Sequence, residues 1–151
     1  LDVNPQTLVS ALSLSVAQRL VRVLCLICKK EKVISPREKN IIDSIINKAK
    51  ENGKDLGRAG IDLNQEYKIY EPVGCDKCNQ TGYKGRMGIF EAIQTDEEIE
   101  KIIIGKPSER DIKKISAKQG TLNMQEDGII KVLKGITSLE EVRSVVDLLE
   151  E

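Results

Sequence analysis

The chain has 151 residues, 40% of them hydrophobic and 32% charged, enough for one or two compact domains with a core and too short for a large enzyme. Its 24 basic and 24 acidic residues cancel, so net charge offers no bulk attraction for nucleic acid or anionic lipid. There is no His, no Trp and one Phe, which excludes histidine acid/base chemistry, His-ligated metals and Ser-His-Asp triads.

No window approaches the roughly 18 uninterrupted apolar residues of a membrane span, and Leu1-Asp2-Val3-Asn4-Pro5 lacks the basic and apolar regions of a signal peptide. The chain therefore reads as cytosolic, and its start without Met reads as that of a piece cut from a longer protein. Asn4 and Pro5 form a cap and first-turn pair that predicts a helix from 5 to about Leu24. Leu8, Val9, Ala11, Leu12, Leu14, Val16, Ala17, Leu20 and Val21 cover most of its circumference, so it expects burial on several sides. Gln18, Arg19 and Arg22 are its polar positions. Ser35-Pro36-Arg37-Glu38 is a capping box that opens a second helix carrying Ile41, Ile42, Ile45, Ile46 and Ala49, stopped by Asn52-Gly53. Tyr67 to Val73 then reads as a strand, with Met87 to Ile93 as its hairpin partner.

From Thr95 onward the pattern is a train of short capped helices. Thr95 with Glu98, Ser108 with Asp111, Asn123 with Glu126 and Thr137 with Glu140 are cap-to-third-residue pairs, and Gly105, Gly120 and Gly135 stand at the stops. Ile99, Ile102 and Ile103, Ile112 and Ile115, Ile129, Ile130, Val132 and Leu133, and Leu139, Val142, Val145, Val146 and Leu149 supply the inward faces. The segments between the glycines do not resemble one another, so this is a bundle and not a solenoid.

All four cysteines lie in two pairs, Cys25-Leu26-Ile27-Cys28 and Cys75-Asp76-Lys77-Cys78. A two-residue gap lets both sulfurs of a pair face one ion, so two such knuckles offer four soft ligands, the donor set of a structural Zn2+. Redox dithiols and inert buried thiols are the alternatives. Against the first, neither pair lies between a strand and a helix in a thioredoxin-like order. Four thiolates make the site anionic and favour nearby Lys29, Lys30, Lys77 and Lys84. They also leave no open coordination position. The fold class expected is α+β, mostly α: a zinc-stapled unit of helix and small antiparallel β-hairpin, then a bundle of short helices.

Other chemistry is missing from the sequence. There is no Gly-x-x-x-x-Gly-Lys-[Ser/Thr] to cradle a triphosphate, and Gly82-x-x-Gly85-x-x-Gly88 has the wrong spacing for a dinucleotide fingerprint. The chain by itself is not expected to be an enzyme.

A resemblance rests on Ala17-Gln18-Arg19-Leu20-Val21-Arg22, on Cys25-x-x-Cys28, on Gly74-Cys75-x-x-Cys78-x-x-Thr81-Gly82-Tyr83-x-Gly85-Arg86, and on Asp127-Gly128 to Gly135-Ile136-Thr137-Ser138-x-Glu140-Glu141-Val142. In this order the segments are similar to the C-terminal part of the type II secretion and type IV pilus assembly ATPases, in the branch with a tetracysteine zinc site. One departure is Leu26, where many members carry Pro.

The resemblance implies a parent that forms a homohexamer, uses ATP and Mg2+, lies in the cytoplasm peripheral to the inner membrane, and contacts inner-membrane platform proteins. No nucleic-acid partner is expected, given the neutral charge. Three parts are expected: 1–24, the last helix of an upstream nucleotide-binding core; 25–93, the tetracysteine subdomain with Cys25, Cys28, Cys75 and Cys78 as ligands; and 94–151, a helical subdomain. Arg19, Arg22 and Arg86 are the expected subunit contacts. The alternative reading is a freestanding zinc-binding adaptor or chaperone-like module, since the second knuckle resembles those of the Hsp40 co-chaperones. A zinc-ribbon nucleic-acid binder is disfavoured by the neutral charge and by 3% aromatic content.

Overall fold

The computed structural model describes residues 4–61, 66–105 and 107–148. Asn4 accepts a hydrogen bond from the Gln6 amide and opens helix α1, Pro5–Ala11, as its cap chemistry requires. The helix ends there. Leu14–Leu24 is strand β1, so the single helix expected from 5 to about 24 is a correction. An apolar pattern that covers every face does not separate helix from strand. The β-branched Val16, Val21 and Val23 favour the extended form, and a strand distant in sequence supplies the partner that decides it.

A short strand β2, Lys30–Lys32, follows the first cysteine pair, and then helix α2, Pro36–Glu51, starts on the expected capping box. Ile42, Ile45, Ile46 and Ala49 are buried on one face. Strand β3, Ile69–Glu71, lies within the expected 67–73, but its partner is β2, in the register Lys30↔Glu71 and Lys32↔Ile69. The long strand β4, Tyr83–Gln94, pairs antiparallel with β1 from Leu14↔Gln94 to Arg22↔Arg86. The expected hairpin between 67–73 and 87–93 is therefore replaced by two separate two-stranded sheets, β1-β4 and β2-β3. The first knuckle follows a strand and not a helix.

Four helices come next: α3, Glu97–Ile104; α4, Glu109–Ser116; α5, Met124–Leu133; and α6, Leu139–Val145. The Ser108 and Asn123 capping boxes form as read. Two caps move by one residue: Asp96 and not Thr95 caps α3, and Ser138 with Glu141, not Thr137 with Glu140, caps α6. Asp96 reaches two amides, those of Glu98 and Ile99, while Thr137 is drawn away by β1, where its hydroxyl donates to the Arg22 carbonyl. The mixed class, with short helices after the cysteine unit, is the one expected.

One core joins these parts. Val21 and Ile89 of the β1-β4 sheet, the isoleucines of α2, Ile69, Ile129 and Val132 of α5, and Leu139 and Val142 of α6 are buried together. Leu148 closes its C-terminal side, and the Leu149 expected in that role lies outside the described residues. A buried ion pair lies within the core, where Lys54 Nζ donates to both carboxylate oxygens of Glu126 at 2.9 and 2.7 Å. Both side chains are almost wholly enclosed, so loss of either partner strands a charge in a place water cannot reach.

Candidate metal centre

The β1-β4 pairing runs its last residues toward both cysteine pairs. Leu24 pairs with Tyr83 after an irregularity in the register, and the Cys25 amide donates to the Gly82 carbonyl at 2.9 Å. The first pair thus leaves the end of β1 just where the second enters β4. Each pair then makes a tight turn: the Cys28 and Lys29 amides donate back to the Cys25 carbonyl, and the Cys78 and Gln80 amides donate to the Cys75 carbonyl. Asn79 and Gln80 both have positive φ, 52° and 60°, which winds the second turn tightly.

Two glycines make this turn possible. At Gly82, φ is +75°, and an added Cβ would lie 2.3 Å from Pro72. At Gly74, φ is +107°, and a Cβ would meet the Gln80 carbonyl oxygen at 2.7 Å. Any side chain at either position would force the second knuckle open.

The four sulfurs converge. Cys25 Sγ lies 3.9 Å from Cys75 Sγ, Cys28 Sγ 3.8 Å from Cys78 Sγ, and Cys75 Sγ 3.7 Å from Cys78 Sγ. All four lie within 4.8 Å of one another and none is in a disulfide. A tetrahedron with metal–sulfur bonds of about 2.3 Å has edges of about 3.8 Å, so Cys25, Cys28, Cys75 and Cys78 form a cage of the right size for one tetrahedral ion.

The surroundings prepare the thiols unequally. Burial opposes ionisation of Cys78, but the amides of Cys75 and Gly82, each 3.2 Å from its sulfur, outweigh it and bring the thiol down to about 6. Amides of Ile27 and Cys28 lower Cys25. Cys28 is pushed up to about 11, chiefly by burial and with only the Gly74 amide to oppose it. A dication at the centre would be needed to hold all four as thiolates.

The lysine expected beside this charge is used elsewhere: Lys29 Nζ donates to the Gly135 carbonyl at 2.7 Å and sits 4.7 Å from the Tyr70 ring centroid. Lys30, Lys77 and Lys84 are exposed. A second cluster, which sequence reasoning missed, anchors the knuckles to the helical part. Glu141, on α6, accepts from the Arg22 amide and from Nε and Nη2 of the Arg22 side chain, at 2.9, 2.9 and 2.6 Å. The Arg22 guanidinium also lies 4.1 Å above the Tyr83 ring, whose hydroxyl is 2.8 Å from Ser138 Oγ. Burial resists ionisation of Glu141, yet the Arg22 hydrogen bonds prevail and hold its carboxyl below the usual carboxylate range. Arg22, Tyr83, Ser138 and Glu141 all fall in the motif segments of the sequence, but nothing local pairs them.

Of the three arginines singled out, Arg22 is therefore committed within the chain, with 54% of its side chain still exposed. Arg86 stands directly across the sheet from it and is exposed. Arg19 borders a cleft of about 410 Å³, whose other charged groups include Glu91, Lys113 and Asp147.

A mixed fold in which two Cys-x-x-Cys turns meet at the end of a long two-stranded sheet, backed by short helices, gathers four thiols that could hold one metal ion. The family model described as Type II/IV secretion system protein matches residues 1–144, and the chain belongs to that family. It is 36% identical over 145 residues to the type II secretion system protein E of Aeromonas hydrophila. Over 138 residues it is 36% identical to the type IV pilus assembly ATPase PilB of Pseudomonas aeruginosa, and over 142 residues 36% identical to the PilB of Thermus thermophilus. These matches cover 96%, 91% and 94% of this chain. The chain spans only 25%, 22% and 14% of the three relatives. No helix among the described residues is long and apolar enough to cross a membrane.

Proposed function

We propose that this chain is the C-terminal zinc-binding region of a hexameric secretion or pilus assembly ATPase, a structural and inter-subunit element that couples ATP hydrolysis to assembly of a pilus or pseudopilus and to protein secretion. The observation that carries the reading is the tetrahedral spacing of Cys25, Cys28, Cys75 and Cys78 in a chain of this family. Zn2+ bound there supplies a cross-link and no catalysis, since four thiolates leave no open position. ATP and Mg2+ belong to the parent, whose nucleotide-binding core residues 1–24 complete. Residues 25–93 form the metal-binding part and 94–151 the helical part. The parent works in the cytoplasm at the inner membrane, against its own neighbouring subunits and the platform proteins.

The residues of the chain give this role a physical form. The metal turns, the Arg22–Glu141 pair and the Thr137 hydroxyl fasten β1 to α6, so a push on either is passed to the other without a loose joint. Arg19 and Arg86 present charge outward for contact with neighbouring subunits, and Arg22 joins them through the exposed part of its guanidinium.

Two measurements test the reading. Atomic emission on protein purified without added metal should find about one zinc per chain, with four free thiols after denaturation in chelator. Metal-free protein with paired cysteines would overturn the site. In the full-length ATPase, Cys75→Ser should impair hexamer formation and secretion, and Arg19→Glu or Arg86→Glu should weaken assembly; an unchanged hexamer would remove the arginines from the interface.

A further inference from the structure

The four thiols of the cage are not equally open to water. Cys25 and Cys78 are buried, at 2% and 6% exposed, while Cys28 and Cys75 are half-buried. Each turn therefore has one inner and one outer thiol. The residues between them stand in solvent: Leu26 and Ile27 are 78% and 70% exposed, and Asp76 and Lys77 are exposed as well. A small solute can approach this end of the molecule without any opening of the core.

The sulfurs also meet across the two turns. Cys28 Sγ lies 3.8 Å from Cys78 Sγ and Cys75 Sγ 3.9 Å from Cys25 Sγ, whereas the 3.7 Å pair, Cys75 and Cys78, belongs to one turn. The two contacts between turns use every sulfur once, and each joins a half-buried thiol to a buried one. A disulfide bond of about 2.05 Å would require each sulfur of such a pair to advance by only about 0.9 Å. Two such bonds would link positions 50 residues apart and hold together the same two turns that a bound ion would hold.

We propose that the cage is also a site of thiol oxidation by small peroxides, with Cys28 and Cys75 as the attacking sulfurs and Cys78 and Cys25 as the sulfurs that resolve them. In the first step the Cys28 thiolate attacks one peroxide oxygen, the O–O bond breaks, and hydroxide leaves with Cys28 as the sulfenic acid. In the second, the Cys78 thiolate attacks the Cys28 sulfur, the S–S bond forms, and a second hydroxide leaves. One hydrogen peroxide is thus reduced to two hydroxide ions as two thiolates become a disulfide. Cys75 and Cys25 repeat both steps with a second peroxide. The four cysteines then offer no thiolate to an ion, yet a covalent tie still joins the end of β1 to the start of β4. The starting state rests on the reading of the four cysteines as metal ligands; the choice of sulfur pairs does not.

Hydrogen peroxide in excess, added to the zinc-loaded chain, tests the proposal. A chromogenic chelator should record release of about one zinc per chain, and the thiol count after denaturation should fall from four to none. Mass spectrometry of unreduced peptides should find Cys28 linked to Cys78 and Cys25 linked to Cys75. The oxidised chain should melt at least ~5 °C above the same chain reduced and stripped of metal, and dithiothreitol should abolish that difference. Cys78→Ser removes the resolving sulfur of Cys28, so dimedone should label Cys28 in this variant; label on Cys25 instead would overturn the assigned roles. The wild-type peptide map needs no variant to fold. Links within the turns, Cys25 to Cys28 and Cys75 to Cys78, would overturn the proposal, as would sulfinic or sulfonic acids without disulfides. A zinc-loaded chain that keeps its four thiols refutes the proposal and leaves the metal reading intact. A chain that never binds zinc but forms the two links between turns supports the proposal and refutes the metal reading.

Discussion

The two ends of β1 are built from one alternating sequence and have opposite fates. At its C-terminal end Val21 and Leu24 are buried, Arg22 is gripped by Glu141, and the cysteine turns follow directly. At its N-terminal end Leu14, Val16 and Leu20 are as apolar as Val21 and stand half in water. Strand propensity is thus much the same along the whole length, and the difference lies in what covers each end. A two-stranded ribbon gains little by itself; it becomes rigid where helices, ion pairs and the cysteine cage enclose it.

That contrast yields a graded set of expectations. Removal of the metal from a Zn2+-loaded chain with chelator, or Cys75→Ser, should have the largest effect, about 5 kcal/mol or more, seen as a fall in Tm of at least about 10 °C. An unchanged melting curve would mean that packing alone holds the closed end. Next is Ile89→Ala, which opens a cavity in the buried core that Ile89 shares with Val21 and should cost about 3 kcal/mol by denaturant titration. Glu141→Gln should cost about 2 kcal/mol, because the Arg22 groups lose a buried charged acceptor.

A smaller effect is expected from pH. Burial disfavours the Glu38 carboxylate, but Lys32 Nζ at 2.8 Å and the Ser35 hydroxyl and amide overcome it and take the group down to about 2. The folded value lies below the unfolded one, so this contribution is complete above about pH 4.5 and is lost as the pH falls through about 2. Glu38→Gln should therefore lower stability by about 1 kcal/mol at pH 7 and by almost nothing near pH 2. Least of all, Leu20→Thr at the open end of the 151-residue chain should change stability by no more than about 0.5 kcal/mol. A loss as large as that of Ile89→Ala would show that the open face is covered within the chain itself.

The cysteine cage was legible because its chemistry is local: two sulfurs per turn, with glycine at the positions that let the second turn close. The helices of the second half were legible because caps are short-range, and the two that moved by one residue did so where neighbouring polar side chains competed for one amide. Thr95 lost to Asp96, which has a charged oxygen for two amides, and Thr137 was taken by the Arg22 carbonyl. The strand at 14–24 was not legible. Its apolar residues satisfy helical and extended periodicity alike, and the partner that selects the extended form begins at Tyr83, beyond the reach of any local pattern.

By itself the sequence determined the two Cys-x-x-Cys pairs, the capped helices, the isoleucine face of α2 and the family, since each rests on residue types at fixed short spacing. Only the tertiary structure decided which strands pair, that Arg22 turns inward to Glu141, and that the side chains of Gln119, Thr121 and Asp127 close the β4 edge of the β1-β4 sheet. Those outcomes depend on which groups meet across gaps of tens of residues, where geometry and desolvation choose among partners the sequence treats as equal.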